Sequence, residues 1–143
     1  MKKCFFIIAI LSLMLTSYGC VRKMQRSLFD YPESKWECQQ PTVVIYVDIS
    51  GESKAVLKKD GKEYYLTFTE RAQIGRVSLS QINEEEFRNG VSVIDHTREV
   101  LGGSYQISDR SYIVTSEGDF NSVFWGVEDD EKLELIFERV DTE

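Results

Sequence analysis

The stretch SKAVLKKDGKEYYLTFT, from Ser53 to Thr69, decides the fold. Asp60-Gly61 stands between two runs in which apolar residues recur at every second position. Ala55 and Leu57 share one face of the first run, and Tyr64, Leu66 and Phe68 share one face of the second. Period two is the signature of a half-buried strand. Asp-Gly flanked by lysines is the signature of a type I′ turn, whose two central residues both need positive φ. The stretch predicts an antiparallel hairpin.

The same alternation spreads outward. Upstream, Val43, Ile45, Val47 and Ile49 fall on one face, with Val44, Tyr46 and Asp48 on the other, and Ser50-Gly51-Glu52 makes the turn. Downstream, Ile74 to Leu79 reads as a fourth run. Asn83 to Arg88 reads as a short helical turn: Asn83 caps it, Glu84, Glu85 and Glu86 favour its positive end, and Asn89-Gly90 stops it. Val91 to Ile94 is a short strand, and Asp95 to Val100 is irregular. Gly103 to Ile107 and Ser111 to Thr115 flank a second hairpin turn at Asp109-Arg110. Glu117-Gly118-Asp119 leads into a strand from Phe120 to Val127, and Glu128 to Glu131 turns the chain again. Lys132 to Val140 closes the set, with Leu133, Leu135 and Phe137 on one face.

The pattern predicts an all-β domain of eight to nine short strands with one short helical turn. No segment between them is long enough for a crossover helix, so the sheet is an antiparallel meander. Closing it into a small barrel removes its edges. Eight strands enclose room for packed side chains or one small ligand. Trp36, Tyr46, Tyr64, Tyr105 and Trp125 are the candidate lining of a ligand pocket, although aromatic stripes in β proteins commonly form plain core.

Composition agrees with one globular domain. The chain has 143 residues, 42% hydrophobic and 29% charged, with two prolines. Its 17 basic and 24 acidic residues give a net charge of −7. That sign excludes a nucleic-acid partner, because phosphate neutralisation draws on a surplus of Lys and Arg.

The N-terminus has the order of a secretory signal. Lys2 and Lys3 precede an apolar run from Phe5 to Leu15, broken by Ser12 alone. Eleven helical residues rise about 16 Å, half of a hydrocarbon core of about 30 Å, so the run is too short to span. Ser17-Tyr18-Gly19-Cys20 resembles a bacterial lipobox. The resemblance implies a diacylglycerol on the Cys20 sulfur and cleavage before that residue. The alternative is ordinary secretion with release after Gly19. The expected organisation is a signal peptide over 1–19, a lipidated basic tether over 20–34 and a β-barrel domain over 35–143. The expected place is the cell envelope, with the domain outside the cytoplasm.

Of the three cysteines, Cys4 leaves with the signal and Cys20 carries lipid, so Cys38 has no intrachain partner and reads as a small buried hydrophobe. Arg22, Lys23 and Arg26 follow the anchor before any acid. From Ser27 onward 12 basic residues face 24 acidic ones, a net charge of −12. A basic tether is favourable beside anionic headgroups, at about 1 kcal/mol per charge.

Trp36-Glu37-Cys38 with Pro41 to Ile45, the Asp60-Gly61-Lys62 hairpin, Leu101 to Tyr105 and Leu135 to Arg139 together resemble a group of small bacterial lipoproteins. The likeness covers about residues 31 to 140. It implies a lipocalin-like barrel and no particular reaction.

Candidates for chemistry are few. Asp95-His96 is the one place for a catalytic pair, with Ser92, Ser104 or Cys38 as nucleophile, yet neighbours on an extended chain point to opposite sides. The acidic runs Glu84 to Glu86 and Glu128 to Glu131 lack calcium-loop spacing, and zinc and phosphate-loop motifs are missing. No metal or cofactor is expected. The leading expectation is a monomeric lipoprotein, anchored to a membrane, whose barrel binds a small apolar ligand or a basic protein. A second is an inhibitor of a cationic cell-wall enzyme such as lysozyme. The stretches Lys54 to Leu57 and Lys62 to Leu66 resemble the tandem strands of barrel-type lysozyme inhibitors, without their cysteine pair. A third is a hydrolase built around His96.

Overall fold

The computed structural model describes residues 25–91, 96–117, 121–127 and 132–141, the side chain of His96 excepted. Eight strands form a closed antiparallel barrel in sequence order. They are β1 Lys35–Cys38, β2 Thr42–Val47, β3 Ser53–Lys59, β4 Lys62–Arg71, β5 Arg76–Ile82, β6 Glu99–Ile107, β7 Ser111–Ser116 and β8 Glu134–Val140. Closure comes from β1 pairing with β8, where Trp36 stands opposite Arg139. The all-β meander read from the alternation is the observed fold.

The deciding hairpin forms as expected. Asp60 and Gly61 have φ of 52° and 73°, and Lys59 pairs with Lys62 across the turn. Asp60 accepts this conformation because a short polar residue tolerates the left-handed region. Register then fixes the faces. Val43, Ile45, Val47, Ala55, Leu57, Leu66, Phe68, Leu133, Leu135 and Phe137 all point inward and are buried. Cys38 is a buried free thiol whose pKa burial pushes up.

Antiparallel order sorts the connections onto two ends. One end gathers the β2–β3, β4–β5 and β6–β7 turns, the start of β1 and the end of β8. A strap formed by Gln25 to Ser34, with a 3-10 turn at Leu28–Asp30, crosses this end. The packed body thus reaches upstream of Lys35: Leu28 is fully buried, and Gln25 donates to the Tyr105 carbonyl at 2.7 Å. The far end carries the β3–β4 turn and two helices, α1 Glu84–Asn89 and α2 Ser122–Trp125, with a second 3-10 turn at His96–Arg98. Asn83 caps α1 as expected, accepting from the Glu86 amide at 2.8 Å.

Some expectations need correction. Phe120 to Val127 is not a strand: Ser122–Trp125 is one helical turn capped by Asn121, and Gly126 ends it at φ 71°. Trp125 is drawn inward from that turn by its indole N–H, which donates to the Val100 carbonyl at 2.9 Å. The fourth strand runs over Arg76–Ile82, which leaves Ile74 in the turn, 58% exposed. Ile49 is 80% exposed because β2 ends at Val47 and the Asp48 carboxylate closes the turn on Ser50 and Glu52. The expected strand Val91 to Ile94 and the Asp95 end of the irregular stretch lie almost wholly outside the described residues, and β6 already begins at Glu99.

Candidate functional site

The lumen is filled. Trp36, Leu66, Leu79, Leu101, Tyr112, Leu135 and Phe137 have no area that water can reach. A void wide enough for water would leave such area on its walls, so none adjoins these side chains. Tyr112 is the hub: its ring meets those of Trp36, Phe68, Tyr105 and Phe137 at centroid distances of 5.6–6.3 Å.

The five aromatic candidates are distributed over three places. Trp36 and Tyr105 belong to the lumen and meet through Tyr112. Tyr64 and Trp125 meet through Phe124 at the far end, at 5.6 and 5.2 Å. Tyr46 faces outward, 46% exposed. His96 lies in the 3-10 turn at the far end, and its side chain and Asp95 fall outside the described residues.

Under the strap sits a group of residues that patterning did not single out. The Glu70 carboxylate accepts from the Leu28 amide at 3.1 and 3.2 Å and from the Tyr112 hydroxyl at 3.1 Å. Burial raises its pKa, and burial together with Glu70 holds Tyr112 well above the usual tyrosine value. The neighbouring Tyr105 hydroxyl is buried with no hydrogen-bond partner among the described residues, and burial pushes its pKa up to about 12. Chemically this is a closed latch. The carboxylate is occupied by structural donors and holds the strap down.

A wide open concavity lies outside the barrel. A groove of about 560 Å³ runs between the outer face of β2–β4 and α1. Val44, Val56, Tyr65 and Phe87 form its floor, with Tyr46 beside them. The Phe87 ring packs on Tyr65 at 4.7 Å, and the Lys54 ammonium donates to the Phe87 carbonyl at 2.7 Å. Arg88 pairs with Glu84 at 2.6 Å, and Arg98 holds α1 through two contacts with Glu86. Along the rim four acids, Asp48, Glu52, Glu63 and Glu84, stand with three bases, Lys54, Lys58 and Arg88, a surplus of one negative charge. A signal for this groove exists in the sequence: β2 and β4 carry apolar or aromatic residues on both faces, which a barrel wall open to water does not need.

Among the described residues no group of three or more His, Cys, Asp or Glu side chains converges to hold a metal ion. Compared with known proteins, the chain matches no family model, no curated protein and no solved structure.

Proposed function

We propose that this chain is an envelope lipoprotein, tethered through lipid on Cys20, whose barrel acts by binding a basic segment of a protein partner in the outer groove. The observation that carries the binding half is the contrast between a filled lumen and an open, aromatic-floored groove with an acidic surplus on its rim. An apolar floor supplies affinity, and a charged rim selects the partner's sign. The body's net charge of −12 from Ser27 onward draws basic partners at long range. Support for the tether is the lipobox-like run ending in Cys20.

Two measurements test the reading. Mass spectrometry of the mature chain is expected to find diacylglycerol on residue 20; an unmodified thiol on protein recovered from the soluble fraction overturns the tether. Titration with a lysine- and leucine-rich peptide is expected to shift the NMR signals of Tyr65 and Phe87, while a glutamate- and leucine-rich peptide leaves them in place. Shifts confined to other surfaces, or the same response to both peptides, overturn the groove.

The acidic surplus also favours a narrower reading, in which the partner is a cationic cell-wall enzyme held inactive. Lysis by lysozyme at low salt is then slowed by the chain, and unchanged lysis ends that version.

A further inference from the structure

We infer that the strap end of the barrel is a membrane-facing surface, which sits on the bilayer and points the far end away from it. This rests on the lipid tether proposed above. Cys20 is five residues from Gln25, so the anchor is at most about 18 Å from the point where Gln25 is fixed to the barrel. That point is the strap end: Gln25 donates to the Tyr105 carbonyl, and its side chain lies against Gly75 in the β4–β5 turn. Whatever course the tether takes, this end is the one held close to the headgroups.

The surface presented there suits a bilayer. Six large apolar side chains of the described residues are exposed, and three of them, Phe29 at 66%, Ile49 at 80% and Ile74 at 58%, stand on separate turns of this one end. Phe29 projects outward from the strap while its neighbour Leu28 plugs the lumen, and the Phe29 ring lies over Gly51 of the β2–β3 turn. Apolar residues at the tips of three turns, around an end rather than along a groove, can enter the acyl boundary together.

Charge contributes through the far end. Arg71 stands beside Ile74 and makes no hydrogen bond or ion pair among the described residues. At this end Asp109 accepts from the Tyr31 hydroxyl at 2.9 Å and pairs with Arg26 at 3.3 Å, and Asp141 pairs with Arg110 at 3.1 Å, while Glu33 and Glu52 are exposed. By sequence Arg22 and Lys23, outside the described residues, belong to the tether that leads to this end. Glu84, Glu85 and Glu86 lie at the far end in α1, and Glu128 to Glu131, outside the described residues, belong by sequence to the β7–β8 connection. An anionic leaflet repels the far end.

Depth measurements test this on the lipidated full chain in vesicles of phosphatidylethanolamine and phosphatidylglycerol. Ile49→Cys, Ile74→Cys and Val123→Cys each receive a nitroxide; Cys38, 4% exposed, stays unlabelled. Labels at 49 and 74 are expected to collide severalfold more with oxygen than with a water-soluble nickel complex. The label at 123, on the far end, is expected to show the reverse. A chain that floats with the vesicles but shows water-like labels at all three positions overturns the seating and leaves the tether standing. Dipolar broadening between copies without oxygen preference also overturns it, by assigning the surface to a second copy. A chain that does not float, with Cys20 unmodified, overturns both.

Discussion

The Tyr112 hydroxyl donates to the Glu70 carboxylate across 3.1 Å, and the same carboxylate receives the Leu28 amide, so one side chain ties the strap to the hub of the lumen. Removing the acceptor leaves two donors buried. Glu70→Ala is expected to destabilise the chain by about 2–6 kcal/mol, since each of the two unsatisfied buried donors costs about 1–3 kcal/mol. Denaturant unfolding measures it, and the Leu28 amide should lose its protection from hydrogen exchange. Unchanged exchange at Leu28 would refute the latch.

The pH dependence of that latch has a definite sign. Burial raises the Glu70 pKa above the ordinary 4.5, so the folded chain keeps this proton to higher pH than the unfolded chain. Stability from Glu70 is therefore greatest below the ordinary value and declines as pH rises through the folded one. Glu70→Gln removes the titration while keeping an acceptor oxygen. Melting temperatures from acid to neutral pH should show the wild type losing ground to the variant as pH rises. A difference that is flat, or that grows the other way, contradicts the assignment.

Seven of the eight strands, β2 to β8, were legible from local alternation, helped by turn chemistry at Asp60-Gly61 and Asp109-Arg110; β1 at Lys35–Cys38, which closes the barrel against β8, was not, because four residues are too few to show a period. Trp125 was misplaced for a physical reason. Ser122–Trp125 has strand-like composition, yet the Asn121 cap and the indole bond to the Val100 carbonyl hold it as a helical turn. Periodicity sees side-chain faces and not such long-range acceptors. For the same reason alternation singled out nothing at Glu70. Its role depends on a strap that reaches it from 42 residues away.

Tyr105 carries a buried hydroxyl without a partner among the described residues, 5.6 Å in ring separation from Tyr112. An unpaired buried hydroxyl opposes folding, so Tyr105→Phe is expected to stabilise the chain by about 1 kcal/mol. The folded hydroxyl titrates at about 12 against an ordinary 10, so the unfolded state ionises first on the way up. Wild-type stability then falls between those values by a term the variant lacks, and the variant's advantage should widen. A destabilised Tyr105→Phe would show that this hydroxyl has a partner in solution.

Gly102 and Gly103 are adjacent in β6 and should respond oppositely to alanine. At Gly103 a Cβ would collide with the Thr115 carbonyl of the paired strand, where backbone must give way. At Gly102 it would meet only the Glu99 carboxylate, at 2.7 Å, the end of a flexible side chain. Gly103→Ala is expected to cost about 2–3 kcal/mol, as overpacking does. Gly102→Ala should be neutral or stabilising by up to about 1 kcal/mol, because alanine restricts the unfolded chain more than glycine does. Equal melting temperatures for the two variants would mean that β6 and β7 are not in this register.

Phe87 is the side chain that joins α1 to the barrel, and its loss should separate local from global stability. It stacks on Tyr65 at 4.7 Å, lies under the Lys54 ammonium at 5.8 Å, and its own carbonyl accepts from that ammonium. An aromatic pair adds about 0.5–1.5 kcal/mol beyond its buried area. A six-residue helix has little stability of its own, so α1 depends on these contacts and on the Arg98–Glu86 pair. Phe87→Ala is expected to lower global stability by about 1 kcal/mol while the amides of residues 87–90 exchange far faster, since local opening draws on the least-supported element. The lumen around Tyr112 should keep its near-ultraviolet dichroism. Because Phe87 is part of the groove floor, the same variant should stop responding to the basic peptide while remaining folded. A variant that binds as before would move the binding surface elsewhere on the barrel.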